Sequence, residues 1–241
     1  MKKLLLGLLL ISSVLSFGAT QRVGIEKLVT NENRDTLYLE ETKKPYSGEV
    51  ERKYPDGKLL GIATVKDGKF NGKSYEYYEN GKLKIEENYV NGKSEGVSKV
   101  FYPNGKVKYE TPYKNDKKEG VEKFYSENGI LMSEIPFKND VVIGVAKVYN
   151  AQTGKLEYEE NLVNGKRNGL SKKYYPSGKV LNEINFKDDK EEGIMRVYYE
   201  TGKLQGEIPY KNGEVDGVVK AYDENGKLIE QATFKNGEEV K

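Results

Sequence analysis

Apolar and polar positions along this chain recur with a period of 24 residues, and a glycine marks the start of each unit. All steps between these glycines are 24 residues long except one step of 25, between Gly144 and Gly169. The eight glycines are Gly48, Gly72, Gly96, Gly120, Gly144, Gly169, Gly193 and Gly217. A self-similar spacing in this range is the signature of a tandem repeat architecture. We number each unit from its glycine as position 0, allowing for the extra residue in the fifth unit.

Two short apolar runs in each unit predict two β-strands. Position 11 is aliphatic in every unit once the extra residue is allowed for, and position 17 is large and apolar throughout. Position 5 is aromatic in seven of the eight units, namely Tyr77, Phe101, Tyr125, Tyr149, Tyr174, Tyr198 and Tyr222. Turn-forming pairs such as Asn104-Gly105 and Asn91-Gly92 separate the runs and are typical of type I′ hairpin turns. No segment after the N-terminus has a helical apolar period.

The predicted fold is therefore all-β: an elongated single-sheet antiparallel meander of tandem β-hairpins, with eight copies and an N-terminal cap. If Asn104-Gly105 form the two-residue turn, positions that sum to 17 face each other, and position 3 lies opposite position 14. This register predicts the pairs Lys99–Glu110, Lys123–Glu134, Lys147–Glu159, Lys172–Glu183 and Arg196–Glu207, with Lys220 opposite Gln231. Opposite charges across a strand pair favour this register.

Prolines at position 16 complicate the second strand. Pro112, Pro136 and Pro209 occupy this position, and proline cannot donate to a β-ladder. A bulge there would reverse the side-chain alternation beyond it. The sequence therefore leaves open whether the aromatic residues at positions 5 and 17 share a face.

The termini predict an export signal and a cap. Residues 1–19 have a basic start, an apolar stretch and small residues at the end, as a signal peptide has. Cleavage fits after Gly18 or Ala19, and an uncleaved anchor is the alternative. Residues 20–47 are expected to form cap strands over Val23–Val29 and Thr36–Glu40, and residues 48–241 the repeats and a charged tail that blunts the sheet edge. The predicted location is the periplasm, the outer surface or the medium.

Charge and composition narrow the classes of function. Without residues 1–19 the chain has 40 − 2 = 38 basic and 38 acidic residues, which argues against nucleic acid and against strong binding to anionic membranes. The sequence has no histidine and no cysteine, which excludes a Ser-His-Asp triad, a thiol nucleophile and a His/Cys zinc site. Adjacent acids such as Glu86-Glu87 are expected to point to opposite faces. We therefore predict no enzyme activity, no cofactor and no metal site.

The unit from Gly96 to Gly120, GVSKVFYPNGKVKYETPYKNDKKEG, resembles the MORN repeat in its bacterial variant form. The resemblance covers residues 37–237 and implies successive hairpins in one twisted sheet with a groove along one face. Members of this family serve as protein-interaction scaffolds, some are linked to phospholipid contact or dimerisation, and they share no common enzyme activity. The chain departs from the pattern at Lys53, Ser126, Asn150 and Asp223, where aromatic residues are expected.

Tyrosine is the candidate functional residue, because the chain has 19 tyrosines against 7 phenylalanines and no tryptophan. The tyrosines at position 5 fit an aromatic ladder that packs repeat on repeat, and they equally fit an exposed surface that docks a partner. The leading hypothesis is an exported scaffold for a protein partner of unknown identity. The alternatives are a phospholipid-binding module and a self-associating envelope protein.

Overall fold

The structure is a computed structural model that describes residues 21–240. The predicted export signal, residues 1–19, lies outside the described residues. In chain order the strands are β1 (Arg22–Gly24), β2 (Leu28–Thr30), β3 (Leu37–Leu39), β4 (Gly48–Lys53), β5 (Leu59–Lys66), β6 (Lys69–Tyr77), β7 (Leu83–Val90), β8 (Lys93–Ser94), β9 (Gly96–Phe101), β10 (Val107–Lys114), β11 (Lys117–Lys118), β12 (Gly120–Tyr125), β13 (Leu131–Lys138), β14 (Val141–Val142), β15 (Gly144–Tyr149), β16 (Leu156–Val163), β17 (Lys166–Tyr174), β18 (Val180–Lys187), β19 (Lys190–Tyr198), β20 (Leu204–Lys211), β21 (Glu214–Val215), β22 (Gly217–Tyr222), β23 (Leu228–Lys235) and β24 (Glu238–Val240).

One long sheet contains 22 of these strands, and β2 and β3 form a separate pair. Strands that are consecutive in the repeats pair with each other in antiparallel fashion, so that the chain is a meander of hairpins, as predicted. Four two-residue strands (β8, β11, β14 and β21) each pair with the strand before them, across the second turn of the unit. Within residues 21–240, no helix is long and apolar enough to cross a membrane.

The two turns of each unit have different geometries. The second turn has positive φ at both central residues, for example 49° at Asn91 and 83° at Gly92, as a type I′ turn requires. The first turn is a three-residue loop instead: Gly105 N–H donates to the carbonyl of Tyr102 at 2.8 Å, and Tyr102 N–H donates to that of Lys106 at 2.8 Å. The prediction that Asn104-Gly105 form a two-residue type I′ turn is therefore wrong.

The predicted register is nevertheless confirmed, because two offsets cancel. The longer loop pairs Phe101 with Val107, and a bulge that skips Lys108 then restores the pairing of Val100 with Tyr109. Beyond the bulge, every predicted pair is found as a pair of facing residues, from Lys99–Glu110 to Lys220–Gln231.

The prolines lie in strands that keep a regular register with the preceding strand. The pairing from Tyr109 to Tyr113 runs without a shift through Pro112, which faces Val97. The irregularity falls on the other side, where Glu119 interrupts the next strand and its N–H donates to the Pro112 carbonyl at 3.0 Å. Since alternation is preserved, positions 5 and 17 lie on opposite faces of the sheet. We call the face with positions 1, 3, 5, 14 and 16 the front face, and the other the back face.

Side chains of the back face shield one another and supply the buried residues of the repeats. Thr111, Ala146, Ser171, Ile184 and Phe186 are between 2% and 8% exposed and lie at positions 2, 15 or 17. A stacked ring pair, Tyr109 with Phe124 at 4.8 Å between centroids, continues this packing from one repeat to the next.

The first strand of the N-terminal cap differs from the prediction. The strand expected over Val23–Val29 is split by a short 3-10 turn at Ile25–Lys27, because β1 pairs in parallel with β4 whereas β2 pairs with β3. The cap packs its apolar side chains into a cluster around Val23, Tyr46, Val50 and Val65. At the other end, the charged segment Glu238–Val240 forms the last strand, which pairs with β23.

Candidate functional site

The front face presents three parallel rows of side chains that run across the strands. These are an aliphatic row at position 1, a row of alternating charges at positions 3 and 14, and the predicted aromatic row at position 5. The aliphatic and aromatic rows gain one member per repeat and the charged row gains two, because the repeats stack with the same register.

The predicted aromatic residues all lie on the front face, and all seven are partly buried. Five of them donate a hydrogen bond from the tyrosine hydroxyl to the position-14 glutamate of the preceding repeat. The pairs are Tyr125 with Glu110 at 3.1 Å, Tyr149 with Glu134 at 2.8 Å, Tyr174 with Glu159 at 2.6 Å, Tyr198 with Glu183 at 2.7 Å and Tyr222 with Glu207 at 3.4 Å. The tyrosines therefore link neighbouring repeats through their hydroxyl groups.

The surroundings of four of these hydroxyls, those of Tyr125, Tyr149, Tyr174 and Tyr198, oppose their ionisation. Burial, followed by the hydrogen bond to Glu134 and the charge of that carboxylate, raises the pKa of Tyr149 to about 12. The same causes raise the pKa of Tyr125, Tyr174 and Tyr198. These hydroxyls are neutral donors at any physiological pH, so they are suited to positioning and not to proton transfer near neutrality.

The charged row alternates in sign over most of the sheet. From Glu110 onward, each position-14 glutamate faces the basic residue of its own hairpin and that of the next, as Glu110 faces both Lys99 and Lys123. The full row is Glu86, Lys99, Glu110, Lys123, Glu134, Lys147, Glu159, Lys172, Glu183, Arg196, Glu207, Lys220 and Gln231. Ion pairs form at 3.2 Å for Lys99–Glu110, 3.9 Å for Lys123–Glu134 and 3.6 Å for Arg196–Glu207. The row has nearly no net charge.

Sequence reasoning missed the aliphatic row. Position 1 is aliphatic in six consecutive repeats, and each of these side chains is between 36% and 46% exposed: Val97, Val121, Val145, Leu170, Ile194 and Val218. Prolines at position 16 face three of these residues and widen the strip there, namely Pro112, Pro136 and Pro209. Polar residues face the other three, namely Asn161, Asn185 and Thr233. The sequence does indicate this row, because an aliphatic residue directly follows the glycine in these six units. Its exposure could not be assigned, because the sequence did not decide whether the prolines reverse the alternation of side chains.

A second tyrosine row lies at the hairpin tips, at position 6. Each of its five hydroxyls donates to the backbone carbonyl of the position-5 residue in the next repeat, at 2.6 to 2.8 Å. The donors are Tyr54, Tyr78, Tyr102, Tyr175 and Tyr199. Ser126, Asn150 and Asp223 stand at this position in the other repeats. Three of the four predicted departures therefore fall in one structural row.

A stacked single sheet of β-hairpins, with side-chain links that repeat from one hairpin to the next, defines a tandem β-repeat protein. The model of the MORN repeat variant family matches seven segments of the chain, at residues 46–67, 70–91, 94–115, 118–139, 167–188, 191–212 and 215–236. The chain belongs to the MORN repeat variant family. Repeats of this kind are generally non-catalytic modules. No curated protein sequence matches the chain.

The matched segments extend over residues 46–236 and so cover less of the cap than the predicted 37–237. They leave out the fifth unit, which is the one with 25 residues. In the structure this unit forms the same hairpin, β15 with β16, and keeps the pairing of Lys147 with Glu159. It is therefore a structural repeat with a divergent tip.

Proposed function

We propose that this protein is an exported, non-enzymatic scaffold that binds a protein partner along its front face. The observation that carries the proposal is the exposed aliphatic row from Val97 to Val218. A row of exposed apolar side chains bordered by polar groups is typical of a protein interaction surface. The export part of the proposal rests on the signal-like sequence of residues 1–19.

The three rows give such a partner distinct contacts. The aliphatic row offers apolar area, which stabilises a complex by roughly 25 cal/mol for each Å² removed from water. The alternating charges favour a partner with opposite charges at the same spacing, because mismatched charges at an interface are costly. The position-5 tyrosines form a firm surface beside the charged row, since their hydroxyls are already bound to the preceding repeat.

A phospholipid surface is the less favoured partner. Anionic membranes bind clusters of basic residues, whereas basic and acidic residues alternate along the front face. Self-association has a specific observation in its favour, because the last hairpin exposes Leu228, Ile229 and Val240 to 42%, 61% and 49% beside an edge strand. Sedimentation over a range of concentrations tests it, and a monomer at every concentration would exclude it.

The test of the scaffold is a matched pair of triple variants. Residues 20–241 are used to capture proteins from envelope and extracellular fractions, and each recovered protein is purified and titrated against the variants. The front variant changes Val121, Val145 and Leu170 to Thr. The control changes Val90, Val141 and Val163 to Thr, which are 47%, 42% and 45% exposed and lie beside the second turn.

We expect binding to the front variant to be weaker by at least about tenfold, because each truncated interface anchor costs roughly 1 kcal/mol or more. The control variant should bind within about twofold of the wild type on the same scale. Equal affinities for the two variants would contradict the aliphatic row as the binding surface. A further variant with Phe at Tyr125, Tyr149 and Tyr174 tests whether the partner uses the tyrosine hydroxyls.

A further inference from the structure

The tip of the fifth repeat differs from its neighbours in a way that creates a cleft. In five repeats, a position-6 tyrosine bridges to the next hairpin and donates to a backbone carbonyl. Asn150 occupies that position in the fifth repeat, and its side-chain oxygen is used within its own loop. It accepts hydrogen bonds from the N–H groups of Gln152 and Thr153 at 3.0 and 2.9 Å. The asparagine therefore stabilises the longer loop and does not bridge to the next repeat.

The other interruption inside the array is accompanied by a second change in the same repeat. Where Ser126 replaces the tyrosine, position 10 carries Ile130, although it is lysine in the other seven units. A methyl group of Ile130 reaches the next hairpin tip and lies 3.4 Å from where a Cβ on Gly154 would be. The fifth repeat keeps the lysine at this position, Lys155. Its ammonium group donates a hydrogen bond of 2.6 Å to the carbonyl of Pro176 in the next repeat.

The fifth tip has a cavity of about 620 Å³ at this place. Leu156, Tyr158 and Tyr175 contribute apolar surface to it, and Asn150, Thr153 and Tyr174 contribute polar groups. Its size falls in the range of small-molecule and side-chain binding pockets. Within residues 21–240, no tyrosine hydroxyl reaches the Tyr174 carbonyl, although the equivalent carbonyls of Tyr198 and Tyr222 each accept one.

The backbone around this carbonyl matches that of the occupied sites. Tyr174 pairs with Val180 next to the same bulge that accompanies the pairing of Tyr198 with Leu204. A carbonyl oxygen has two lone pairs, so one that takes part in a strand ladder can accept a further hydroxyl donor. The fifth tip thus keeps the acceptor and apolar walls of a phenol site, while its own chain supplies no phenol.

We propose that this cleft binds a 4-hydroxyphenyl group, namely the side chain of a tyrosine on the protein partner. The guest ring takes the place that Tyr102 or Tyr175 takes in its own repeat, and its hydroxyl donates to the Tyr174 carbonyl. That the tyrosine comes from a protein partner rests on the proposed function. That the cleft binds a phenol rests only on the residues of the cleft. It assigns a role to the extra residue and to Asn150, which set this unit apart from the others.

The probe is N-acetyl-L-tyrosinamide, titrated at millimolar concentration into the ¹⁵N-labelled chain and followed by amide chemical shifts. The phenylalanine analogue is titrated in parallel. We expect saturable shifts confined to residues 150–156 and 174–176, and binding of the phenylalanine analogue to be about fivefold weaker, because it lacks one hydrogen bond. Absence of saturable shifts there, or equal binding of the two amides, would overturn the proposal.

A loop graft that places a tyrosine of the chain itself in the cleft provides the control. Residues 150–155, NAQTGK, are replaced by YPNGK, which is the sequence of residues 102–106. The graft restores the 24-residue spacing and brings a tyrosine of its own into the cleft. The amide spectrum outside residues 149–176 should keep its dispersion, while the tyrosinamide shifts should be lost. If tyrosinamide binds to the graft as to the wild type, the proposed cleft is wrong.

The two proposals fail in different ways. Saturable tyrosinamide binding without a recovered protein partner would support the chemistry of the cleft and remove the proposed function. A partner that depends on the front face but binds the graft as well as the wild type would support the scaffold and overturn the cleft as its tyrosine site.

Discussion

The hydroxyl of Tyr174 donates a hydrogen bond of 2.6 Å to the carboxylate of Glu159 in the preceding repeat. The same glutamate faces Lys147 in its own hairpin and Lys172 in the next. One carboxylate therefore joins the tyrosine row to the charged row. Because this arrangement recurs along the sheet, a tyrosine at position 5 is first a link between repeats, and only its partly exposed surface remains for the proposed partner.

Tyr174→Phe should lower the free energy of unfolding by about 1 kcal/mol, because it removes one hydroxyl from a partly buried hydrogen bond and keeps the ring. Tyr77→Phe is the matched control. The first repeat has Ile62 in place of the glutamate, so Tyr77 has no such acceptor. The Tyr77→Phe variant should lose less than about 0.5 kcal/mol of its free energy of unfolding. Urea unfolding measures both, and equal losses would contradict a role for the glutamate.

Alkaline pH should destabilise the protein through the same hydroxyls. The pKa of Tyr149 is raised to about 12, first by burial and then by Glu134, whereas an unfolded tyrosine has a pKa of 10.0. The folded state therefore holds its proton more tightly. The resulting stability is fully present below pH 10 and is lost as the pH rises towards 12.

Tyrosinate absorbance near 295 nm, recorded beside circular dichroism, tests this dependence. Tyr149→Phe should remove one late-titrating group. Glu134→Gln should lower the pKa of Tyr149 only in part, because burial is the larger cause. If all the tyrosines titrate together near pH 10 while the fold persists, the predicted dependence of stability on tyrosine ionisation is wrong.

The repeat period predicted the fold because each unit carries its own strands and turns. The register of Lys99 with Glu110 followed from local turn chemistry, even though the turn itself was wrong. The three-residue loop closed by Gly105 and the bulge at Lys108 shift the pairing by one residue each, in opposite senses. Cross-strand charge complementarity selects the final register and does not depend on which loop produces it.

Contacts between repeats were harder to predict. Ser126 and Asn150 stood out in the sequence as departures, but the carbonyl that a tyrosine there would reach belongs to the following repeat. The split of the cap at Ile25–Lys27 likewise depends on a parallel pairing with β4 that no local pattern indicates. Local periodicity thus predicts each hairpin, whereas the surface that neighbouring hairpins build together requires the structure.

Gly120→Ala should be among the more destabilising substitutions in the array, with a loss of roughly 1–3 kcal/mol from backbone strain alone. Gly120 has φ of +118°, and a Cβ would lie 3.0 Å from Cγ of Pro112. Gly105→Ala is the control, because φ is +92° there and a Cβ would have no atom within 4 Å. Thermal unfolding of both variants separates the two effects. A smaller loss at Gly120 than at Gly105 would show that contact with the proline does not constrain this position.

The effect of a charge reversal on stability should depend on whether the residue lies in the charged row of the front face, and not on the net charge of the chain. Lys123→Glu places three acidic residues side by side, since Lys123 faces Glu110 on one strand and Glu134 on the other. Like charges directly opposite each other are unfavourable, and each new pair replaces a favourable one, so we expect a loss of about 1 kcal/mol. In high salt, at about 1 M, the Debye length falls to roughly 3 Å and much of this loss should disappear.

Lys117→Glu changes the net charge by the same amount and supplies the comparison. Lys117 faces Lys114 across the second turn, so the substitution replaces a repulsive pair with an attractive one. Its stability should equal or slightly exceed that of the wild type at low salt, and this advantage should shrink as salt is added. Urea unfolding at low and high salt measures both variants. Because the two substitutions share every bulk property, equal destabilisation would mean that the alternating row does not contribute to the register.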